Sequence, residues 1–264
     1  MLVQQRRLPN GRNVFSINRN ETDYLYKEIF EDQAYINPGA AELSERPVIF
    51  DIGANIGLFA IFAAERWPGS HIVCFEPVPE VFDVLRRNIA DIPGAAARNV
   101  AVGASRETRE IVYYPRYTIL SGFDAEAGAD RATVEQYLRN VANGIDDEET
   151  RDVVLGSMDE MLADRFEQTT VAVQLERLTD AVADLGVARI DLLKVDVEGS
   201  EVQVLQGMDD AVWQMVGSAV IEIADNAGEL DMAAALCHDH GMRTEIRQLP
   251  EFGGTNLHVL FAER

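Results

Sequence analysis

Acidic side chains follow two apolar segments of the chain, at positions where strands of an open α/β sheet would end. Asp51 follows the apolar residues 48–50, and Asp196 and Glu198 follow the strand-like segment 190–195. Open α/β sheets bind their ligands at the carboxyl ends of their strands. A carboxylate there can remove a proton from a bound substrate. The pattern therefore predicts a ligand site with acid–base chemistry at this edge of a sheet.

A glycine-rich turn follows Asp51, with the sequence Gly53-Ala-Asn-Ile-Gly57 ahead of a helical run over 56–66. A strand, a glycine turn and a helix build a nucleotide pocket, because small residues let the backbone approach the ligand and the helix offers free N–H groups. The negative charge of Asp51 would disfavour the pyrophosphate of a dinucleotide. It would favour a ligand that carries an ammonium and a sulfonium group, and S-adenosylmethionine (SAM) is such a ligand.

A second acidic position, Glu76, follows the apolar strand predicted over 71–75 and precedes Pro77. It lies 19 residues after Gly57, close to the spacing at which an acidic residue meets the ribose hydroxyls in nucleotide-binding α/β folds. A third short strand is predicted over 99–102. Its end would face the same edge of the sheet and border an adenine.

The composition limits the classes of function. The chain has 264 residues, of which 47% are hydrophobic, and this suits one large α/β domain. The formal net charge of −22 argues against partners such as nucleic acid or an anionic membrane surface. The sequence has neither the apolar core of a signal peptide nor a stretch long enough to span a bilayer, so a cytoplasmic protein is predicted.

Metal binding is not expected. The two cysteines, Cys74 and Cys237, have no metal-ligand or redox spacing, so structural burial is predicted for both. The i,i+2 spacing of His238 and His240 places them on different faces of a helix. Carboxylates at strand ends could instead bind Mg²⁺, as hard oxygen ligands do.

Two segments stand apart from the predicted α/β pattern. Residues 1–45 form an N-terminal lead-in with helical spacing over 21–30, read as a cap over the cofactor site or as a helix that covers a sheet edge. The main domain is predicted over 46–264, with a helical insertion at 117–170. Residues 124–167 contain 13 acidic residues and 4 arginines. Long insertions are often functional lids, and a lid over the acceptor site is predicted, with a solvated decoration as the alternative.

The end of the chain helps to choose between sheet types. Core strands are predicted over 171–175, 190–195 and 219–223, and two final strands over 243–247 and 256–262 follow a single helix. Such a closing antiparallel hairpin is typical of methyltransferase sheets rather than dehydrogenase sheets, in which strands keep alternating with helices.

Several segments together resemble the FkbM family of SAM-dependent methyltransferases. They are Asp51 to Gly57, Glu76-Pro77, Lys194-Val-Asp-Val-Glu-Gly-Ser-Glu201, Ile221-Glu222 and the closing strand from Asn256. The Asp-Val-Glu-Gly-x-Glu block is the most specific of them. The resemblance implies a Rossmann-like, seven-stranded, mostly parallel α/β sheet with an antiparallel last strand, helices on both faces and a helical insertion. It also implies methyl transfer, most often to a hydroxyl oxygen of a natural-product acceptor such as a polyketide or a sugar.

The resemblance also implies roles for individual residues. It places Asp196 near the methyl group and Glu198 near the acceptor. For the catalytic base we predict Asp196 or Glu198, with Glu222 as the third choice, and Asn256 and His258, which alternate on the last strand, are further candidates for contact with the acceptor. The candidate SAM-binding residues are Asp51, Gly53, Ala54, Asn55, Gly57, Glu76, Pro77, Asn99, Ala101 and Asp196. Family members often carry a histidine shortly after the glutamate that corresponds to Glu222. In this sequence the residues 223–225 that follow Glu222 contain no histidine.

Two other classes of function remain open at this point. An NAD(P)-dependent oxidoreductase would use the same turn, but Asn55 occupies the position of its second glycine and no Tyr/Lys catalytic pair is evident. A non-catalytic SAM-binding partner protein is the other alternative. The predicted acceptor is a small molecule or a carrier-protein-bound molecule, and the sequence leaves self-association into a homo-oligomer open.

Overall fold

A seven-stranded sheet forms the centre of the protein, whose computed structural model describes residues 3–37, 39 and 42–264. Part of the predicted lead-in, namely Met1, Leu2, Pro38, Ala40 and Ala41, lies outside the described residues. The strands, from one edge of the sheet to the other, are β11 (Arg243–Arg247), β12 (Leu257–Glu263), β10 (Val216–Ala224), β9 (Ile190–Val195), β3 (Val48–Ile52), β4 (His71–Phe75) and β5 (Ala95–Arg98). β12 runs antiparallel to both of its neighbours, and the other neighbouring pairs are parallel. The predicted fold class is confirmed.

Helices cover both faces of this sheet because successive side chains of a buried strand point to opposite faces. In β3, Phe50 and Ile52 pack in one apolar cluster and Ile49 packs in the other. The Ile49 face is covered by α2 (Leu58–Arg66) and α3 (Pro79–Asn88). The helices on the Phe50 face are α7 (Leu178–Leu185), α8 (Glu201–Gln206), α9 (Asp210–Met215) and α10 (Glu229–Asp239).

An N-terminal segment, residues 3–37, packs over the Ile49 face. It begins with an antiparallel hairpin of β1 (Gln4–Arg7) and β2 (Asn13–Ser16). The helix α1 (Arg19–Tyr26) follows, capped by the side chain of Asn18, and continues into a π-helical turn over Lys27–Glu31. The helical spacing over 21–30 thus corresponds to α1 and this turn. Such π turns are rare and are frequent at functional sites.

A smaller, three-stranded sheet carries the helical insertion. Its strands are β6 (Ala101–Val102), β8 (Thr169–Glu176) and β7 (Glu107–Tyr113), in that spatial order. β8 pairs parallel with β6 and antiparallel with β7. The insertion contains α4 (Ala127–Asn143), α5 (Glu148–Gly156) and α6 (Met158–Leu162). None of the helices in the described part of the chain combines the length and apolar character needed to cross a membrane.

Two predicted strands belong elsewhere. The third strand of the main sheet is β5, not residues 99–102, because Ala95–Arg98 pairs with β4 from Ile72↔Ala95 to Phe75↔Arg98. Its three alanines give almost no apolar signal. Asn99 ends the strand by donating two side-chain hydrogen bonds to the carbonyls of Glu76 and Pro77, both at 2.9 Å. The segment predicted over 171–175 forms part of β8 and pairs in the small sheet.

Candidate functional site

An internal cavity lies at the carboxyl ends of β3, β4 and β9, beneath the N-terminal segment and α4. The predicted site residues that line it are Gly53, Ala54, Asn55, Glu76, Pro77, Ala101, Asp196, Glu198, Glu222 and Asn256. Four others, Asp51, Gly57, Asn99 and His258, are not among its lining residues. The topology therefore gathers in one place side chains that are widely separated along the chain.

The turn after β3 has little space for anything but glycine at its first position. Gly53 has φ +78°, and an added Cβ would lie 1.7 Å from the backbone oxygen of Asp196. Gly57 also has a positive φ of +87°, but its added Cβ would meet Leu85 at 2.7 Å. Gly57 therefore allows α2 to pack against α3. It was predicted to bind SAM, but it faces α3 and does not line the cavity.

Glu76 is held rigidly at the end of β4. Its two carboxylate oxygens accept hydrogen bonds from the backbone N–H of Asn55 at 3.0 Å and of Val78 at 2.9 Å. Burial raises the pKa of Glu76 to about 7, against the opposing effect of these bonds. Each carboxylate oxygen has a second lone pair. Since Glu76 lines the cavity, it can accept further hydrogen bonds from a ligand there. Asn99 contributes by holding the Glu76–Pro77 loop rather than by lining the cavity.

Asp51 was predicted to bind SAM, but it does not line the cavity and instead contacts Lys194. Its side chain is fully buried, and Lys194 Nζ lies 3.3 Å from its Oδ1. The same ammonium lies 3.1 Å from Oδ2 of Asp196 and donates to the carbonyl of Gly53 at 2.9 Å. Burial alone would lower the pKa of Lys194, but the carboxylates of Asp196 and Asp51 outweigh it and raise that pKa. A buried ammonium thus ties β3, the glycine turn and Asp196 together.

One hydroxyl of the N-terminal segment meets three carboxyl groups in the cavity wall. Tyr35 Oη lies 3.1 Å from Asp196 Oδ2, 3.0 Å from Glu222 Oε2 and 3.4 Å from Glu28 Oε2. We call these four residues the Tyr35 cluster. Burial raises the pKa of Glu28 to about 7, and burial together with the charge of Asp196 raises the pKa of Glu222 well above its usual value. These surroundings therefore favour the protonated forms of Glu28 and Glu222.

Glu198 enters the cavity from a strained loop. It has φ +55°, a left-handed conformation that is uncommon for residues other than glycine. Burial, followed by the charges of Asp196 and Glu222, raises its pKa well above the usual value. Glu201 supports this loop, because its Oε1 accepts from the backbone N–H groups of Val197 at 3.3 Å and Gly199 at 2.9 Å.

The last strand presents Asn256 and His258 differently. Asn256 lines the cavity, next to Leu257. In the antiparallel pairing of β10 with β12, Glu222 is opposite Val259 and Ile223 is opposite His258. Directly opposed residues share a face of the sheet. His258 therefore lies on the opposite face from Glu222 and is not among the lining residues, and its contact with the acceptor stays a prediction.

Apolar and aromatic side chains also line the cavity, and we call this set of residues the apolar wall. They are Leu25, Ile29, Ile119, Leu120, Phe123, Val134, Tyr137 and Phe252. The ring of Tyr137, on α4, packs between Tyr24 at 5.6 Å and Phe252 at 5.2 Å, measured between centroids. Asn140 ties α4 to the segment after β11 by donating to the carbonyls of Glu251 at 2.9 Å and Gly253 at 2.8 Å. The insertion thus supplies one wall of the cavity.

Comparison with known proteins identifies the family. The family model described as Methyltransferase FkbM domain matches residues 51–249. The chain belongs to the FkbM methyltransferase family. It is 38% identical to the 31-O-demethyl-FK506 methyltransferase FkbM of Streptomyces tacrolimicus, over 100% of this chain and 98% of that protein. It is also 34% identical to the methyltransferase sdnD of Sordaria araneosa, over 86% of this chain and 84% of that protein.

A solved structure shares the fold. The methyltransferase FkbM from Methylobacillus flagellatus KT superposes with a TM-score of 0.54 at 14% sequence identity. The match covers 86% of this chain and 46% of that one. The resemblance noted from the sequence is confirmed, and the protein is a methyltransferase of the FkbM family. Family membership favours methyl transfer over the alternative of an oxidoreductase.

Sequence reasoning missed Glu28, Tyr35 and Lys194 in this FkbM-family site. The signal for Lys194 was present, because a lysine inside an otherwise apolar strand must find a buried anion. Tyr35 and Glu28 carry no such signal. Tyr35 is 161 residues from Asp196 and 187 residues from Glu222 along the chain. Within the described residues, no group of three or more His, Cys, Asp and Glu side chains has the arrangement of a metal site.

Proposed function

We propose that this FkbM-family protein is a SAM-dependent O-methyltransferase that acts on a hydroxyl group of a largely apolar natural-product acceptor. The observation that carries the proposal is the mixed lining of one cavity. The Gly53 turn and Glu76, the apolar wall from Leu25 to Phe252, and the acidic groups Asp196 and Glu222 all line it. A nucleotide-bearing cofactor and an apolar acceptor would meet at these carboxylates.

The residues present fit SAM. Gly53 lets the turn pack against the backbone of Asp196, and the turn itself lines the cavity, so its backbone can lie against a ligand. Glu76 would accept hydrogen bonds from both ribose hydroxyls with its remaining lone pairs, while Pro77 and Ala101 would border the adenine. The acidic groups that line the cavity suit a positively charged ligand. When bound, SAM supplies an electrophilic methyl group.

The acceptor side supports an apolar molecule with a hydroxyl group. The apolar wall would bury the body of the acceptor, and this burial excludes water from the reacting oxygen. An alcohol must lose its proton during attack, and a carboxylate within reach contributes roughly 10² to 10⁴-fold to such a step. Asp196, Glu198 and Glu222 all line the cavity and are the candidates for this role. The name of the Streptomyces relative, which refers to an O-demethyl substrate, supports oxygen as the methylated atom.

Calorimetric titration with SAM and with S-adenosylhomocysteine (SAH) tests the proposal. We expect wild-type protein to bind SAM in the micromolar range and Glu76→Ala to bind it about 100-fold more weakly, since two hydrogen bonds to a charged group are lost. Glu110→Ala is the matched control, because Glu110 is an exposed glutamate on β7. This control should retain wild-type affinity.

Methyl transfer is then measured with apolar alcohols and with their carboxylic-acid analogues as acceptors. Transfer to the alcohols and not to the acids is expected. Absence of SAM binding by wild-type protein would overturn the proposed cofactor, and transfer to the acids alone would overturn the proposed acceptor group.

A further inference from the structure

The hydrogen bonds of the Tyr35 cluster require a proton to be shared. The Tyr35 hydroxyl has one hydrogen to donate and lone pairs that can accept. Its oxygen nevertheless lies 3.1 Å from Asp196 Oδ2 and 3.0 Å from Glu222 Oε2. If both carboxyl groups were ionised, one of these contacts would join two oxygens with no hydrogen between them. At least one of the two carboxyl groups must therefore carry a proton.

The surrounding charges decide which carboxyl group holds this proton. Asp196 forms an ion pair with the Lys194 ammonium at 3.1 Å. That ammonium also contacts Asp51, so its charge is already matched by two carboxylates. The negative charge of Asp196 disfavours ionisation of Glu222, and so does burial. Tyr35 then donates to Asp196 and accepts from a protonated Glu222.

The groups that face Glu222 come from several elements. Lys194 belongs to β9 and Asp196 is the residue after it. Glu198 belongs to the loop that follows, Tyr35 to the N-terminal segment, and Tyr24 and Glu28 to α1 and its π-helical turn. The carboxyl groups outnumber the single ammonium. A cation that entered the cavity would favour loss of the proton from this group of acids.

We propose that Glu222 is a neutral carboxylic acid in the ligand-free protein, where it donates a hydrogen bond to the Tyr35 hydroxyl while that hydroxyl donates to the ionised Asp196. Binding of a positively charged ligand then turns Glu222 into the base of the reaction. This inference rests on the proposed function and adds the identity of the base. The proton that Glu222 loses first goes to solvent. Bound SAM would supply the methyl group and retain the electrons of its sulfur–carbon bond, and Glu222 would take up the proton that the acceptor oxygen loses as it bonds to the methyl carbon.

Calorimetry tests this inference without an acceptor. SAM and SAH share the adenosine and amino-acid parts and differ in the methyl group and its sulfonium charge. Titration in two buffers with different ionisation enthalpies gives the number of protons released on binding. Any release that arises from ribose binding at Glu76 is common to both ligands and cancels in their difference. We expect wild-type protein to release up to about one proton more with SAM than with SAH near pH 7.

Two isosteric variants assign the proton. Glu222→Gln should bind both ligands, with the difference in proton release reduced to nearly zero. Glu28→Gln is the matched control, because Glu28 touches the same hydroxyl at 3.4 Å yet is not assigned the proton. Glu28→Gln should retain most of the difference in proton release between SAM and SAH. In wild-type protein the ratio of SAM affinity to SAH affinity should rise about tenfold per pH unit until Glu222 ionises in the free protein, and then become constant.

Several results would overturn the inference. One is equal proton release with SAM and SAH in wild-type protein. A second is a difference that persists in Glu222→Gln, or disappears in Glu28→Gln alone. Glu222→Gln could fail to bind either ligand. In that case, a ratio of SAM affinity to SAH affinity that stays constant in wild-type protein between about pH 5.5 and 9 would overturn the inference. Failure of wild-type protein to bind SAM at all would instead overturn the proposed function, and this inference with it.

Discussion

Replacing Lys194 by methionine tests the buried ion pairs directly. Methionine keeps most of the length of the side chain and removes the ammonium. Asp51 would then be a fully buried carboxylate, and in the described residues neither of its oxygens accepts a hydrogen bond that could replace the lost charge. Removing one partner of a buried pair typically costs about 3–5 kcal/mol. Asp196 is 19% exposed and adds less, because water can solvate it. We therefore expect Lys194→Met to lower the free energy of unfolding by about 3–5 kcal/mol at pH 8.

The decrease in the free energy of unfolding that Lys194→Met causes should depend on pH. Burial already raises the pKa of Asp51 while Lys194 opposes this effect, so the pKa rises further without the ammonium. A carboxyl group with a raised pKa in the folded state stabilises the fold below its unfolded pKa and loses that contribution as pH rises through the folded pKa. The difference between Lys194→Met and wild type should therefore be larger at pH 8 than at pH 5.5.

Urea unfolding at the two pH values, followed by circular dichroism, measures both effects. The control is the double variant Asp51→Asn with Lys194→Met, in which no buried charge is left at position 51. It should recover about 2 kcal/mol relative to Lys194→Met at pH 8. A loss below about 1 kcal/mol, or an equal loss at both pH values with no recovery in the double variant, would refute the reasoning.

Three further predictions concern Gly53, for which Gly186 is the control, and the positioning residues Asn99 and Asn140. Gly53→Ala should destabilise the protein by more than about 3 kcal/mol in urea unfolding, because its Cβ meets the Asp196 carbonyl. Gly186→Ala should cost only about 1 kcal/mol, since φ is +63° there with nothing within 4 Å of the added Cβ, and equal losses would contradict this. Asn99→Ala should weaken SAM binding about tenfold in calorimetry by freeing the Glu76–Pro77 loop, and unchanged affinity would argue against that positioning role. Asn140→Ala should accelerate hydrogen exchange in α4, whose link to Glu251 and Gly253 it removes, and unaltered exchange would count against that link.

The sequence predicted the parts of the fold that local patterns determine. Strands β3, β4 and β9 are predominantly apolar, and Gly53 and Glu76 follow β3 and β4 at spacings set by the strand–turn–helix unit. The helix α7 ends at Gly186, which adopts the left-handed conformation that stops a helix. Such features depend on neighbours within a few residues, so they can be read from one sequence.

The parts that were missed depend on distant pairing. β5 consists of three alanines and an arginine, so its place in the sheet comes from pairing with β4 rather than from its own composition. Similarly, β8 follows the insertion but pairs back to β7. The side of β12 on which His258 lies depends on register, and a shift of one residue would reverse it. Tyr35 reaches the site because the N-terminal segment folds back over the sheet, which no local pattern records.

The pairing of β7 with β8 has a consequence for how acceptor specificity can change. The ladder ends at the pair Tyr113↔Thr169, so the chain leaves for the insertion and returns at two adjacent residues. A long loop costs only slightly more entropy to close than a shorter one. The insertion can therefore be exchanged by a graft that also matches its contacts with the rest of the chain, such as the bonds from Asn140 to Glu251 and Gly253. Grafting the corresponding segment of a relative between these two residues would replace one wall of the cavity and leave the main sheet, the Gly53 turn and Glu76 in place.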